Sequence, residues 1–286
     1  MISSKTSFLA LIGNPVNHSL SPIMHNAAIK HLGLDLVYLA IPCKEEDFDS
    51  TINVLKKLNC RGLNITIPFK EKVFDLCSEI SPIAHKVKAI NTLKINDDNE
   101  WIGTNTDVEG FISPLKNFDL KNKKGTILGS GGAARAAIQG LLEINLAEIN
   151  VITRNKRSLE KILKDFSCEA TINGFLDTNV VNDKLIQNSD LIVNSTPVGM
   201  KSISNKEHSL PFGEKIWESL NSNTIIYDLI YNPRQTPLLQ FGLERNCVAI
   251  DGLEMLVSQG AKSLSFWTDG LEAPLKVMKE SLKEYV

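Results

Sequence analysis

The sequence predicts an α/β protein of two domains built on mostly parallel sheets. Three observations predict it. The chain has 286 residues, and a domain takes roughly 100–200. Over about the first hundred residues, short β-type apolar runs alternate with segments of helical period, the mark of βαβ units. Near Gly125 a second series opens on a strand, a glycine-rich turn and an alanine-rich helix.

Phe8–Ile12 is an apolar run stopped by Gly13, Asn14 and Pro15, and reads as the first strand. Pro22–His31 reads as a helix, with Ser21 placed as its N-cap and proline at its first position. Leu36–Ile41 is of β type. Phe48–Leu58 has helical spacing, with Ile52, Leu55 and Leu58 on one side. Gly62–Ile67 is a strand stopped by Pro68, Glu71–Leu76 is helical, and Ile90–Ile95 is again a strand. In the second series the strands are Gly125–Leu128, Ile149–Thr153, Leu191–Asn194 and Ile225–Leu229, with the helix Ala133–Leu142 after the glycines. Helical pattern returns at Leu253–Trp267 and Pro274–Tyr285. The basic run Lys121–Lys124 precedes a strand and reads as a solvated turn.

Composition narrows the function. With 43% hydrophobic and 22% charged residues the chain can build an ordinary globular core. Its 31 basic and 33 acidic residues give a net charge of −2, so nothing electrostatic calls for a nucleic acid or a membrane as partner. The apolar stretch Ser7–Val16 is short and broken, and reads as strand and loop rather than a signal peptide. No run approaches the roughly 18 apolar residues of a membrane span. Five cysteines (Cys43, Cys60, Cys77, Cys168 and Cys247) lie scattered with no CxxC spacing, as expected of reduced thiols in a cytoplasmic protein. The five histidines form no cluster with ligand spacing, so no metal site is expected.

Gly129, Ser130, Gly131, Gly132 and Ala133 lie between a strand and a helix. Glycine permits a tight turn and lets a backbone approach a pyrophosphate, and the helix start offers free N–H groups. After the next strand, dinucleotide sites that prefer NAD carry an acid for the ribose 2′-OH. Here the segment is Thr153-Arg154-Asn155-Lys156-Arg157, which has no acid and three cations. Arginine suits a 2′-phosphate because its fork makes charge-assisted, bidentate bonds. A solvated basic loop is the other reading of that run.

Polar clusters recur near strand ends, where open α/β sheets gather ligands. Asn64 and Thr66 are two apart and share a face if the strand is regular, with Lys70 close behind. Asn91-Thr92 and Asn105-Thr106-Asp107 follow. Taken singly, each cluster is explained better by turn chemistry, and Lys70 by a surface lysine. Ser19 and Ser21 stand just ahead of the first helix and suit a carboxylate ligand. His18 reads as a loop-fixing residue, because Lys70 and Asp107 already supply a proton-transfer pair.

Together these segments resemble the shikimate dehydrogenase family. The matching stretches are GNPVNHSLSPIMHN, GLNITIPFK, AINTL, GTNTD, GSGGAARA, NSTPVGM, YDLIYNP and DGLEMLVSQGA, in the family's order from residue 13 to residue 261. The resemblance implies a substrate-binding and catalytic domain over residues 1–107, completed by 252–286, and an inserted Rossmann-type NADP-binding domain over 108–251. It implies the reversible NADPH-dependent reduction of 3-dehydroshikimate to shikimate in aromatic amino-acid (chorismate) biosynthesis, by a cytoplasmic monomer or homodimer. Lys70 and Asp107 would be the catalytic pair. Ser19 and Ser21 would receive the substrate carboxylate, with Tyr231 near it. Thr66, Asn91, Asp107 and Gln259 would hold ring hydroxyls, with Asn64 close by. NADP(H) would meet Gly129, Ser130, Gly131, Gly132, Ala133, Thr153, Arg154, Asn155, Arg157, Thr196, Leu229 and Gly252.

Some positions depart from the commoner pattern. Thr153 stands where asparagine is usual, and Arg157 is displaced by one residue. Val108 and Glu254 stand where glycine is frequent. Two competing functions are an NAD-using quinate/shikimate dehydrogenase of the same fold and a non-catalytic ligand-binding relative. The basic cofactor loop opposes the first, and the presence of both Lys70 and Asp107 opposes the second.

Overall fold

The computed structural model describes residues 2–167, 171–177, 182–200 and 209–286. The chain divides into two compact units, Met1–Gly110 with Leu256–Tyr285, and Phe111–Met255 with Val286.

The first unit runs β1 (Ser7–Gly13), α1 (Ser21–His31), β2 (Leu36–Pro42), α2 (Phe48–Lys57), β3 (Cys60–Ile65), β4 (Glu79–Ile80), α3 (Pro82–Val87), β5 (Thr92–Ile95) and β6 (Trp101–Thr104), then enters α4 (Asp107–Ile112). Its sheet has the order β2-β1-β3-β5-β6-β4. β1 is parallel to β2 and β3, and β4 is parallel to β6. β5 is antiparallel to both β3 and β6. The cause is local. Asn96 N donates to Glu100 O at 2.9 Å, closing a hairpin far too short for a parallel crossover. Asn99 supplies its left-handed turn residue at φ 60°.

Several elements differ from the sequence reading. β6 is not among the strands that the sequence predicts. Lys72–Leu76 is a 3-10 helix rather than an α-helix, and β3 ends at Ile65 instead of Ile67. In α2 the buried stripe is Phe48, Ile52 and Leu55, while Leu58 lies outside the helix and is exposed. Phe48 anchors that stripe by stacking on Phe69, with ring centroids 4.2 Å apart. Ser21 does not cap α1. Leu20 holds the cap position without a side-chain bond, and Ser21 is the first helical residue. Ser19 covers the helix start instead, its Oγ accepting from Ser21 N at 3.2 Å.

The second unit runs β7 (Lys124–Leu128), α5 (Gly132–Glu143), β8 (Glu148–Thr153), α6 (Lys156–Asp165), β9 (Thr171–Leu176), α7 (Asn182–Gln187), β10 (Leu191–Asn194), β11 (Ile225–Asp228), α8 (Pro237–Leu243) and β12 (Val248–Ile250). The sheet order is β12-β11-β10-β7-β8-β9, and every pairing is parallel. The order reverses between β7 and β10, as in the doubly wound dinucleotide folds. Alternate strand residues enter opposite cores. Ile127, Val151, Val193 and Tyr227 face one, and Leu128, Ile152, Ile192 and Ile226 the other. Burial on both faces explains why these strands read as continuous apolar runs. Each such side chain contributes roughly 1.5–3 kcal/mol on full burial.

α9 (Leu253–Trp267) and α10 (Leu275–Glu280) end the chain. α10 is shorter than the Pro274–Tyr285 segment expected. Among the described residues no helix is long and apolar enough to cross a membrane. Cys43, Cys60, Cys77 and Cys247 are free thiols, and Cys168 lies outside the described residues.

Candidate active site

In the first unit, Lys70 follows the turn that ends β3, and Asp107 is the first residue of α4. Lys70 Nζ lies 2.6 Å from Asp107 Oδ2, with both side chains largely buried. Asn105 positions the aspartate. Its Nδ2 donates to Ala89 O at 2.9 Å, and its Oδ1 accepts from Asp107 N at 3.0 Å. Asn91 Nδ2 donates to Asp107 Oδ1 at 2.8 Å and to Thr106 Oγ1 at 2.9 Å, while its Oδ1 accepts from Thr106 N at 2.8 Å. The carboxylate thus has one oxygen on the lysine and the other on the amide. In a buried setting such charge-assisted bonds hold geometry tightly.

Asn64 lies deeper. Tyr38 OH donates to its Oδ1 at 2.7 Å, and its Nδ2 faces Asn91 O, Thr92 Oγ1 and Ser263 Oγ. Both amide protons are therefore committed to the protein, leaving one lone pair of Oδ1. Thr66 lies two residues on, its N donating to Ile12 O at 2.9 Å. β3 has ended before it, and Thr66 is half-buried with its methyl against Gly13. Ser21 is buried and contacts the Tyr38 hydroxyl, while Ser19 is half-buried. Gln259 is half-buried on α9, its Nε2 donating to Leu256 O at 2.9 Å.

In the second unit the glycine turn follows β7. Gly129 adopts φ +110°, and a Cβ there would stand 2.6 Å from Ser195 Oγ, so only glycine fits. Gly131 holds the N-cap of α5 without a side-chain bond, and nothing lies within 4 Å of where its Cβ would be. Gly129 N donates to Ile152 O at 2.8 Å, and the open space at Gly131 ahead of the helix start suits a pyrophosphate. Thr153 Oγ1 bonds Ser130 Oγ at 2.8 Å and accepts from Asn155 N at 3.2 Å. Its hydroxyl ties the glycine turn to the end of β8. Asn155 caps α6 by accepting from Ser158 N at 3.0 Å, so Lys156 and Arg157 open a helix rather than a free loop. Arg154 and Arg157 are exposed and make no ion pair among the described residues. Two such guanidinium groups beside an open glycine turn fit a dinucleotide carrying a 2′-phosphate.

Thr196 is held by Asn194, whose Oδ1 accepts from Thr196 N at 3.0 Å and from Thr196 Oγ1 at 2.7 Å. Asn194 Nδ2 donates to Asp228 Oδ1 at 3.0 Å, and Thr236 Oγ1 donates to Asp228 Oδ2 at 2.7 Å. Burial pushes the Asp228 carboxyl up to about 6, against the bonds it accepts. A Cβ on Gly252 would stand 2.2 Å from Leu229 O, so the two backbones meet at a spacing that only glycine allows. Tyr231 is half-buried.

The model of the shikimate dehydrogenase substrate binding domain matches residues 11–93, and that of the shikimate 5′-dehydrogenase C-terminal domain matches residues 252–283. A shikimate dehydrogenase (NADP(+)) of Prochlorococcus marinus (strain MIT 9312) is 62% identical over 286 residues, covering 100% of both chains. The chain belongs to the shikimate dehydrogenase family. A crystal structure of a shikimate dehydrogenase in complex with NADP+ superposes with a TM-score of 0.86 at 36% identity, covering 99% of this chain and 97% of that one. The Thermus thermophilus shikimate 5-dehydrogenase, in complex with NADP(H) and shikimate, gives a TM-score of 0.83 at 29% identity, covering 98% of this chain and 100% of that one.

Tyr38 and Ser263, which the sequence reading does not single out, join Thr92, Asn105 and Thr106 in the polar network of this shikimate dehydrogenase family member, and Asn194, Asp228 and Thr236 brace Thr196. Most sit inside the recognised stretches. Tyr38, Thr236 and Ser263 do not, and nothing in the sequence marks them.

Proposed function

We propose that the chain catalyses the reversible NADPH-dependent reduction of 3-dehydroshikimate to shikimate, a step of aromatic amino-acid (chorismate) biosynthesis, as a cytoplasmic monomer or homodimer. The first unit serves as the substrate domain and the second as the NADP domain. The observation that carries this reading is the lysine ammonium held 2.6 Å from a buried aspartate that Asn91 braces from its other oxygen.

Gly129 to Ala133 would hold the pyrophosphate, Arg154 and Arg157 the 2′-phosphate, with Thr153, Asn155, Thr196, Leu229 and Gly252 completing the site. Bound there, the cofactor supplies the hydride. Lys70 donates a hydrogen bond to the ketone oxygen, stabilises the alkoxide as it develops, and passes it a proton. In the oxidative direction the same amine takes the proton back. Asp107 fixes Nζ and accepts from a ring hydroxyl. Asn91, Thr66 and Gln259 hold the remaining hydroxyls, with Asn64 beneath them. Ser19 and Ser21 receive the carboxylate, the ligand to which the family resemblance also assigns Tyr231.

The test is NADPH oxidation by the purified chain with 3-dehydroshikimate and, separately, with 3-dehydroquinate. Turnover of the first and little of the second is expected. Equal turnover of both would favour a quinate/shikimate dehydrogenase, and turnover of neither would leave a binding protein.

A further inference from the structure

Ser263 is fully buried on α9, facing the sheet of the first unit. Its Oγ lies 3.0 Å from Asn64 Nδ2, 2.8 Å from Thr92 Oγ1, 3.1 Å from Thr106 Oγ1 and 3.0 Å from Gln259 O. A serine hydroxyl has one proton and two lone pairs, which restricts how these contacts can be shared. Asn64 Nδ2 can only donate, so it occupies one lone pair. Thr106 Oγ1 already accepts from Asn91 Nδ2 at 2.9 Å, so its own proton is left for Ser263 Oγ at 3.1 Å or Asn91 Oδ1 at 3.3 Å. The Ser263 proton then goes to Thr92 or to Gln259 O. Thr92 in turn donates to Asn91 Oδ1 at 3.0 Å. Both routes end on Asn91, one at each end of its amide.

We infer that Ser263 is a positioning residue for the lysine–aspartate pair, acting through Thr106 and Thr92 on Asn91. It keeps the Asn91 carbonyl toward Thr92 and Thr106 N, and so keeps the amide protons toward Asp107 Oδ1. The helix itself does not ask for serine here. A mid-helix serine bonding back to the carbonyl four residues earlier is a weaker helix former than alanine. The hydroxyl is explained by what lies across from it. Ser263 is itself no catalytic residue, and the inference rests on the function proposed above.

The experiment uses the full chain with 3-dehydroshikimate and NADPH, and compares Ser263→Ala, Thr106→Val and the double variant. Ser263→Ala should lower kcat about 3- to 12-fold, the equivalent of one neutral hydrogen bond, with KM for 3-dehydroshikimate changed by less than about twofold, since bound-state contacts stay. The double variant should lose little more than the worse single one, because both cut the same link. Ser265→Ala, on the same helix but partly exposed, should keep wild-type kcat. Should Ser263→Ala not fold, Ser263→Cys keeps the volume with a poorer acceptor and should show the same fall. An unchanged kcat in the folded variant, or losses that multiply in the double, would overturn the inference while leaving the proposed function standing. An unmutated chain that cannot reduce 3-dehydroshikimate would overturn both.

Discussion

Lys70 stands where β3 has already ended, so its position is set by the Asp107 contact at 2.6 Å rather than by strand register. Lys70→Ala should lower kcat about 10²- to 10⁴-fold, the range for a positioned acid–base group, and near-normal turnover in a folded variant would remove it from the mechanism. Ser19 makes a different kind of contact. Ser19→Ala should raise KM for 3-dehydroshikimate with little change in kcat, as when a bond is made equally in ground and transition states. A fall in kcat alone would speak against a carboxylate role. Arg154 is exposed and makes no ion pair among the described residues. One charge-assisted contact of about 1.5–3 kcal/mol converts to roughly ten- to a hundredfold in affinity. Arg154→Ala should weaken NADPH binding by that factor and leave NADH binding nearly unchanged, as read by titration of cofactor fluorescence. Equal weakening of both would place the arginine elsewhere than on the 2′-phosphate.

At the scale of elements, legibility follows periodicity. The parallel strands of the second unit are visible in the sequence because both faces are buried and the runs are uniformly apolar. β6 escapes it because Trp101 to Thr104 is four residues with a half-buried alternation, hidden behind the polar turn Asn96 to Asn99. α6 escapes it because its first residues, Lys156 and Arg157, read as a basic loop until Asn155 is seen to cap them. The polar clusters are legible through their motifs, whereas Tyr38 and Ser263 carry no local signal and acquire a role only when α9 and β2 are laid beside β3. α1 offers a test of packing. His25 is fully buried, stacked on Tyr38 at 4.3 Å, and neither ring nitrogen has a hydrogen-bond partner among the described residues. Burial lowers its pKa from 6.5 to about 3. The unfolded chain therefore binds the proton first as pH falls. Stability from the neutral ring is complete above 6.5 and is lost toward pH 3, at about 1.4 kcal/mol per pH unit. Asp228 opposes this over the narrower window from 3.8 to about 6, because its raised pKa makes the folded form the better proton binder there. His25→Phe keeps the ring stack and should flatten the fall of Tm between pH 6.5 and about pH 4, whereas parallel Tm curves for the two proteins would show that His25 titrates unhindered.

The whole molecule is two α/β units, one with a mixed sheet carrying the lysine–aspartate pair and one with a fully parallel sheet carrying the open glycine turn and its exposed guanidinium groups. Neither unit alone accounts for a redox reaction. In the proposed function the first grips a polyhydroxylated ketone and moves a proton, and the second holds a phosphorylated dinucleotide, so one chain must supply both. In that chemistry the hydride comes from the nicotinamide and the proton from Lys70. That makes isotopic transfer the most direct measurement. The full chain is incubated with 3-dehydroshikimate and NADPH deuterated at both positions of the nicotinamide C4, and the product is weighed by mass spectrometry. Shikimate one mass unit heavier than normal, carrying the deuterium on the carbon that was the ketone, is the expected result. Unlabelled shikimate, or no shikimate at all, would contradict the account.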